Sequence, residues 1–169
     1  VLRLAGFIEN INYMKQAKQM TGNRPDFTFS LPNNMKVNMD VKFPFDNYLN
    51  YIEAETDIEK KDFQKKFLDD VKNKIKEVTT KDYIDPAENT VDYVILFIPN
   101  EQIYAFINES DRAILDNALS KKVIMCSPLT LYAILAIIRQ AMDNFQMEKA
   151  AKEILRLMSA FNIEWQRFI

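Results

Sequence analysis

The stretch RPDFTFSLPNNMKVNMDVK, residues 24–42, decides the fold of this chain because both of its halves alternate between apolar and polar residues. A period of two is typical of β-strands with one buried face, whereas a helix repeats every 3.6 residues. Between the halves lies PNNM, residues 32–35, which is rich in residues that favour turns. We therefore predict a β-hairpin of two antiparallel strands.

The polar face of this hairpin holds a candidate catalytic group. Asp26 lies in the first arm, and Asn38, Asp40 and Lys42 alternate along the second arm. Directly opposed residues of an antiparallel pair point to the same side of the sheet. Asp26 and Asp40 therefore share a face only where the numbers of opposed residues sum to an even number. We predict such a register, with a connecting loop of odd length.

Two carboxylates on neighbouring strands can share a hard divalent cation such as Mg²⁺ or Mn²⁺. The metal would polarise a phosphodiester, and the Lys42 ammonium would position or help deprotonate the attacking water. Asp-x-Lys is common by chance, so a structural role is the alternative, with Asp40 paired to a lysine or the charges facing solvent. The order strand, turn, strand, helix favours the metal site because it matches the core of PD-(D/E)xK nucleases.

The composition excludes several kinds of site. The 169 residues contain no histidine, which excludes Ser-His-Asp triads, Cys-His pairs and HExxH zinc sites. Cys126 is the only cysteine, so intramolecular disulfides are excluded and a reducing compartment, the cytoplasm, is expected. Gly6 and Gly22 are the only glycines, so the chain has neither a P-loop nor a dinucleotide-binding glycine motif.

Length, charge and apolar runs limit the number of domains and the kinds of partner that this chain can have. A chain of 169 residues fits one domain. The formal charge of −2 gives no overall attraction to nucleic acid, so DNA contact would need a local basic patch or metal ions. The longest apolar run, residues 131–138, is shorter than the roughly 20 residues that span a bilayer. We expect residues 1–169 to make no contact with a membrane.

The order of predicted elements indicates an α/β protein with a helical C-terminal extension. Besides the hairpin, strands are expected at residues 12–18, 91–98 and 123–126. Helices are expected at residues 46–52, 57–78, 100–107, 111–119, 128–138 and from 143 to the end. The predicted N-caps are Asp46, Asn100 and Ser127, since their side chains can accept hydrogen bonds from the first turn of a helix.

Two helical stretches offer surfaces for partners. The charged face of helix 57–78 is either solvated or a contact for DNA phosphates, and its candidate residues are Lys60, Lys61, Lys65 and Lys66. Aromatic residues recur at helical spacing near the C-terminus. They indicate either core packing or self-association, and they are Phe145, Phe161 and Trp165.

Nearly the whole chain resembles the RmuC family of DNA recombination proteins, which has a restriction-endonuclease-like core. The matching segments, in order, are RPDFTFSLP, NMDVKFPFDNYLNY, IKEVTTKDY, VDYVILFIPNE and VIMCSPLTL, followed by a helical tail. Several such segments in one order are far more specific than an Asp-x-Lys tripeptide. The resemblance implies a single nuclease-fold domain over residues 1–169, with a restriction-endonuclease-like mixed sheet flanked by helices.

The resemblance also implies roles for individual residues. Asp26 and Asp40 correspond to metal ligands for Mg²⁺ or Mn²⁺, and Lys42 corresponds to the catalytic lysine of a deoxyribonuclease acting in recombination or repair. Possible neighbours of the site are Gln16, Asn38, Tyr48, Asn100 and Glu101, the last two being interpreted mainly as helix-capping structure. The alternative function is a non-catalytic DNA-binding or scaffold module that retains the nuclease fold.

One feature of the family is missing from the sequence. Family members usually carry a tryptophan-glycine-glutamate helix before the first strand, and its glutamate could complete the metal site. This chain begins after that point, and Glu9 does not take its place. We therefore expect the domain to lack its N-terminal helix, with any membrane anchor or coiled coil lying upstream.

Overall fold

A computed structural model describes residues 1–20 and 22–168 of the chain. Five strands form one sheet, in which they lie side by side in the order of the chain. The strands are β1 (Tyr13–Lys15), β2 (Phe27–Ser30), β3 (Lys36–Asp40), β4 (Thr90–Phe97) and β5 (Val123–Cys126). Strand β2 runs antiparallel to β1 and β3, whereas β4 lies parallel to β3 and β5. The α/β class with a mixed sheet is confirmed.

The predicted hairpin and its register are also confirmed. Phe27 lies opposite Met39, so opposed residue numbers sum to an even value, and the connecting loop of residues 31–35 has odd length. Asn33 and Asn34 adopt left-handed φ angles of 58° and 59° in this loop, which asparagine tolerates better than most residues. This register directs residues 26 and 40 to the same side of the sheet.

Five α-helices accompany the sheet in the described part of the chain. They are α1 (Asp46–Glu53), α2 (Asp57–Thr79), α3 (Glu101–Ser110), α4 (Ala113–Ser120) and α5 (Pro128–Phe168). A reciprocal capping box between Thr56 and Glu59 starts α2, and Asn100 caps α3 as predicted. Asp46 is not the N-cap of α1, because it is the first helical residue, where its charge still favours the helix dipole.

Helices cover both faces of the sheet and place a core on each side. On one face α2, α3 and α4 bury Phe67, Leu96 and Ile107, and on the other the first half of α5 packs on Phe29 and Ile95. Strand β4 contributes to both cores, which explains its almost continuous apolar sequence. The end of the hairpin is therefore held rigidly beside α2.

The C-terminal segments that were predicted separately form one helix of 41 residues, α5. Ser127 and Thr130 exchange hydrogen bonds at its start, in agreement with the predicted N-cap. None of the described helices, α5 included, combines the length and the apolar character needed to span a membrane.

Candidate functional site

The two predicted metal ligands lie at the same end of the β2–β3 hairpin. Asp40 is the last residue of β3 and is only 2% exposed, while Asp26 directly precedes β2 and is half-buried. The backbone N–H of Val41 donates a hydrogen bond to Asp26 Oδ2 at 2.8 Å. This bond ties the start of β2 to the residue that follows Asp40, so the hairpin register extends to both carboxylates.

Asp40 is held by three side chains that come from outside the hairpin. The Lys74 ammonium lies 3.1 Å from Oδ1, and the Lys81 ammonium donates a hydrogen bond to Oδ2 at 3.0 Å. The Tyr83 hydroxyl lies 3.4 Å from the same Oδ2. Lys74 is itself buried, so this pairing is shielded from solvent. The structural alternative for Asp40, pairing with a lysine, is thus present in the structure.

Glu77 balances the second positive charge of this group. Its Oε1 lies 2.6 Å from the Lys81 ammonium and 3.3 Å from the Lys74 ammonium. Two carboxylates and two ammonium groups therefore form a closed network, which offsets the cost of removing the charges from water. We refer to Asp40, Lys74, Glu77, Lys81 and Tyr83 as the Asp40 cluster.

The cluster shifts the pKa values of its members. Burial alone raises the pKa of Asp40, but hydrogen bonds and charges from Lys81 and Lys74 outweigh burial and hold this pKa below its ordinary value. Burial raises the pKa of Tyr83 to about 12, with a smaller contribution from the negative charges of Asp40 and Asp26. Asp40 is therefore ionised, and Tyr83 is a neutral hydrogen-bond donor, at neutral pH.

Lys42 is exposed and borders two cavities at this end of the sheet. One cavity, of about 510 Å³, is lined by Gln16, Asp26 and Lys42 among others. The other, of about 670 Å³, extends from Lys42 to Lys74 and Glu77 on α2. Val41 and Lys42 line both cavities, so Lys42 stands between the cavity beside Asp26 and the cavity beside Glu77. We refer to these two cavities together as the cleft.

The predicted neighbours Gln16 and Asn38 lie at the site in different ways. Gln16 lines the cavity beside Asp26, and its backbone N–H donates to the Asp26 carbonyl at 3.1 Å. Its φ of 46° ends β1, which explains why this strand is shorter than predicted. Asn38 is buried, accepts a hydrogen bond from Thr28 and donates one to the Tyr83 carbonyl at 2.8 Å. Asn38 therefore helps to hold Tyr83 against Asp40.

Tyr48 does not lie at the site, contrary to the prediction. Its ring packs 5.5 Å from the ring of Phe67 and 5.2 Å from that of Phe106, because α1 directs it against α2 and α3. Asn100 is occupied in capping α3, and Glu101 accepts a hydrogen bond from the Leu129 backbone at 2.6 Å. Both residues thus have the capping and connecting roles that were the main interpretation.

The four candidate DNA-contacting lysines are all exposed on α2: Lys60, Lys61, Lys65 and Lys66. Lys66 forms an ion pair with Asp62 at 2.6 Å. Across α2 seven lysines stand against six acidic residues, so its net charge is small. Any attraction of this helix to phosphate would therefore depend on how its lysines are grouped on the helix surface rather than on its overall charge.

The sequence analysis did not identify four members of the Asp40 cluster, two in α2 and two in the segment that follows it: Lys74, Glu77, Lys81 and Tyr83. One signal was available, because Lys74 follows Val71 by three residues and precedes Val78 by four. That spacing places a lysine on the apolar stripe of α2, where a buried charge needs a partner. The sequence offered no comparable signal that Lys81 and Tyr83 would reach Asp40.

Comparisons with known proteins place this chain in a family. Residues 1–169 match the model of the RmuC family. A "DNA recombination protein RmuC homolog" of Chlamydia trachomatis is 29% identical over 161 residues, covering 93% of this chain and 36% of that protein. A homolog of Vibrio cholerae is 29% identical over 174 residues, covering 100% of this chain and 34% of that protein.

The "DNA recombination protein RmuC" of Escherichia coli is 27% identical over 174 residues, covering 100% of this chain and 37% of that protein. This chain therefore spans about a third of the length of the curated relatives it matches. No solved structure matches the chain significantly. Since the family match extends over every residue, the chain belongs to the RmuC family.

Proposed function

We propose that this chain is a divalent-metal-dependent phosphodiester hydrolase that acts on DNA during recombination or repair. The observation that carries the proposal is the hairpin register, which directs Asp26 and Asp40 to one face beside the exposed Lys42 and an open cleft. A hairpin followed by helices and a parallel strand is also what a PD-(D/E)xK core requires. Action on DNA would place the domain in the cytoplasm.

The names of the relatives support DNA as the substrate, because they are called DNA recombination proteins. Those names describe proteins about three times as long as this chain. The proposal therefore assigns the hydrolytic step to the portion that this chain shares with them, and leaves their other segments aside.

The donor atoms at the site fit Mg²⁺ or Mn²⁺. Mg²⁺ commonly takes one or two protein carboxylates and completes its shell with water and substrate phosphate oxygens. In the described part of the chain no three acidic side chains are close enough to hold an ion together, so Asp26 and Asp40 would be the protein ligands. Both oxygens of Asp40 already have a cationic partner, Oδ1 the Lys74 ammonium at 3.1 Å and Oδ2 the Lys81 ammonium at 3.0 Å, so a metal ion at Asp40 would have to displace one of them. When bound, the metal would polarise the phosphodiester and stabilise developing negative charge.

The residues of this chain would act around that ion. Lys42 is exposed in the cleft, where its ammonium would bind a phosphate oxygen and orient the attacking water. Lys81 would have to release Asp40 Oδ2 when a cation binds, because two positive charges compete for one carboxylate oxygen. Glu77, 2.6 Å from the Lys81 ammonium, would keep that ammonium paired after its release.

Cleavage of branched, single-stranded and duplex DNA in the presence of Mg²⁺ or Mn²⁺ tests the proposal. We expect Asp26→Asn and Lys42→Ala to lower the rate by about 10²-fold or more, as for loss of a ligand or a catalytic proton-transfer group. Lys36→Ala is the matched control, since Lys36 lies at the opposite end of β3. Metal-dependent cutting that survives both Asp26→Asn and Lys42→Ala would refute the assignment.

A second candidate function is DNA binding without cleavage. It is favoured by the two ammonium groups that already hold both oxygens of Asp40, as a bound cation would. In that case the exposed lysines of α2 would contact phosphates, and affinity would fall steeply with salt. In the double variant Lys65→Ala/Lys66→Ala, the slope of the logarithm of the binding constant against the logarithm of the salt concentration should become shallower. The change should be about one unit for each phosphate contact that is lost. Lys149→Ala with Lys152→Ala on α5 is the control pair, and salt-independent binding would contradict this function.

A further inference from the structure

Helix α5 has two halves with opposite surroundings. The first half buries Leu131 and Leu135 against the sheet. From residue 146 to 168 every described residue of α5 is exposed. Large apolar side chains are among them, and Phe161 and Phe168 are 68% and 88% exposed. This outer half of α5, residues 147–168, therefore lacks a packing partner among the residues that the structure describes.

The apolar residues of the outer half follow the spacing of a coiled coil. Steps of four and three residues alternate along the whole segment, and the residues that they connect are Met147, Ala151, Ile154, Met158, Phe161, Trp165 and Phe168. A repeat of 3.5 residues keeps these side chains on one line when two helices wrap around each other. We call this line the α5 seam. Ile163 is also exposed and apolar, but it lies two residues after Phe161, so it does not fit the steps of three and four residues and falls outside the seam.

Six of the seven charged residues in the outer half form ion pairs within the same helix. Lys152 pairs with Glu148 at 2.6 Å, Arg156 with Glu153 at 2.7 Å and Arg167 with Glu164 at 2.9 Å. These pairs require no oppositely charged partner surface. Apart from Lys149, the surface of this segment that has no partner among the described residues is apolar, which favours another apolar helix as the partner.

The seam is large enough for a stable contact. Buried aromatic side chains contribute roughly 150–250 Å² each, so the exposed parts of Phe161, Trp165 and Phe168 alone would bury about 400 Å². The four remaining seam residues and the flanking Leu155 and Leu157 bring the area toward the roughly 800 Å² per partner of a standard interface.

The order of side-chain sizes along the seam indicates what that partner is. If a second copy of the helix lies antiparallel about a midpoint between Ile154 and Met158, Ala151 faces Phe161 and Met147 faces Trp165 of the other copy. The smallest seam residue then meets a phenylalanine, and a flexible methionine meets the tryptophan. Each contact occurs twice, as a two-fold interface requires. In a parallel pair, tryptophan would meet tryptophan and alanine would meet alanine. We propose that the α5 seam joins two copies of this chain through antiparallel helix pairing.

Sedimentation velocity over a range of micromolar concentrations tests the pairing with two matched variants. Ile154→Lys places a charge in the seam, and Ile163→Lys makes the same change outside it at similar exposure, 57% against 54%. We expect a dimer for the unmodified chain and for Ile163→Lys. For Ile154→Lys we expect the affinity of the dimer to fall by about a hundredfold or more. A monomeric unmodified chain, or equal effects of the two variants, would overturn the proposal.

Disulfide trapping tests the orientation. In an antiparallel pair, a mixture of Ala151→Cys and Phe161→Cys chains should form the mixed disulfide, while neither variant should cross-link alone. Cys126 is buried and gives no background. Cross-linking of each single variant with itself would show parallel pairing and contradict the antiparallel arrangement. Neither result depends on whether the chain cleaves DNA.

Discussion

The Asp40 cluster and the outer half of α5 depart from the usual distribution of residues in opposite ways. In the first, a carboxylate and a lysine are buried, at 2% and 7% exposure. In the second, phenylalanine and tryptophan side chains are exposed to water. Burial therefore follows from available partners as much as from residue type, because Asp40 has partners in the described part of the chain and the α5 seam has none there.

The two regions also differ in what a partner molecule would change. The Asp40 cluster is already neutral and hydrogen-bonded, so a metal ion must displace an existing contact, that of Lys81 with Asp40. The α5 seam would lose only water when a second helix covers it. We therefore expect metal binding to be a competition within the protein, and helix pairing to depend on protein concentration.

The largest expected effect is on the free energy of unfolding, when a buried phenylalanine and an exposed one are each replaced by alanine. Phe67 is fully buried, and Phe67→Ala should lower the free energy of unfolding by about 3–5 kcal/mol. Phe161→Ala changes a side chain that is 68% exposed and should alter monomer stability by less than about 0.5 kcal/mol. Urea unfolding of both variants at low protein concentration measures the difference. Similar losses would show that α5 packs more closely than the structure indicates.

The next largest effect concerns the charge balance of the Asp40 cluster. Asp40→Asn leaves the buried Lys74 with Glu77 as its remaining counter-charge, and should cost about 3 kcal/mol of unfolding free energy. Asp92→Asn, which changes an exposed carboxylate on β4, is the control and should be nearly neutral. Urea unfolding distinguishes the two, and a neutral Asp40→Asn would contradict the network.

Acid should remove the same contribution. Because the pKa of folded Asp40 lies below its ordinary value of 3.8, its stabilising effect is present above that value and is lost as the pH falls through the lower pKa. The difference in stability between the unmodified chain and Asp40→Asn should therefore shrink on acidification over that range.

A smaller effect is expected for the competition between Lys81 and a metal. Lys81→Met removes a positive charge 3.0 Å from Asp40 Oδ2 and should strengthen Mn²⁺ binding about tenfold, or about 1.4 kcal/mol. Lys76→Met removes an exposed lysine of the last turn of α2, five residues before Lys81, and is the matched control. Titration calorimetry measures both. Unchanged or weaker binding in Lys81→Met would contradict the competition, whatever the protein does to DNA.

The smallest effect is expected for Tyr83→Phe. The hydroxyl of Tyr83 lies 3.4 Å from Asp40 Oδ2 and 3.3 Å from the Arg24 carbonyl, so both contacts are long. Their loss should cost about 0.5–1 kcal/mol in urea unfolding. Tyr93→Phe, on an exposed side chain of β4, provides the comparison. A loss above that of Asp40→Asn would assign Tyr83 a larger structural role than its geometry supports.

Local pattern was sufficient to predict much of the hairpin and its surroundings. Residues 24–42 specify the two strands and an even register because a shift by one residue would expose Phe29 and bury charges. The stripe through Phe67, Val71 and Ile75 specifies α2 in the same way. The position of Tyr48 was not predictable, since a tyrosine after Asp-x-Lys carries no signal of the direction in which α1 will turn it.

The amino-acid sequence by itself determined the α/β class, the hairpin that brings Asp26 and Asp40 to one face, and the exclusion of histidine-based sites, cysteine-rich zinc sites and P-loops. These follow from residue types and from periodicities within a few neighbouring residues. Only the tertiary structure decided that Asp40 would be enclosed by Lys74, Lys81 and Tyr83, the last two of which are 41 and 43 residues away. It also left the α5 seam uncovered. Contacts between distant segments depend on how the helices pack on the sheet, which no local pattern encodes.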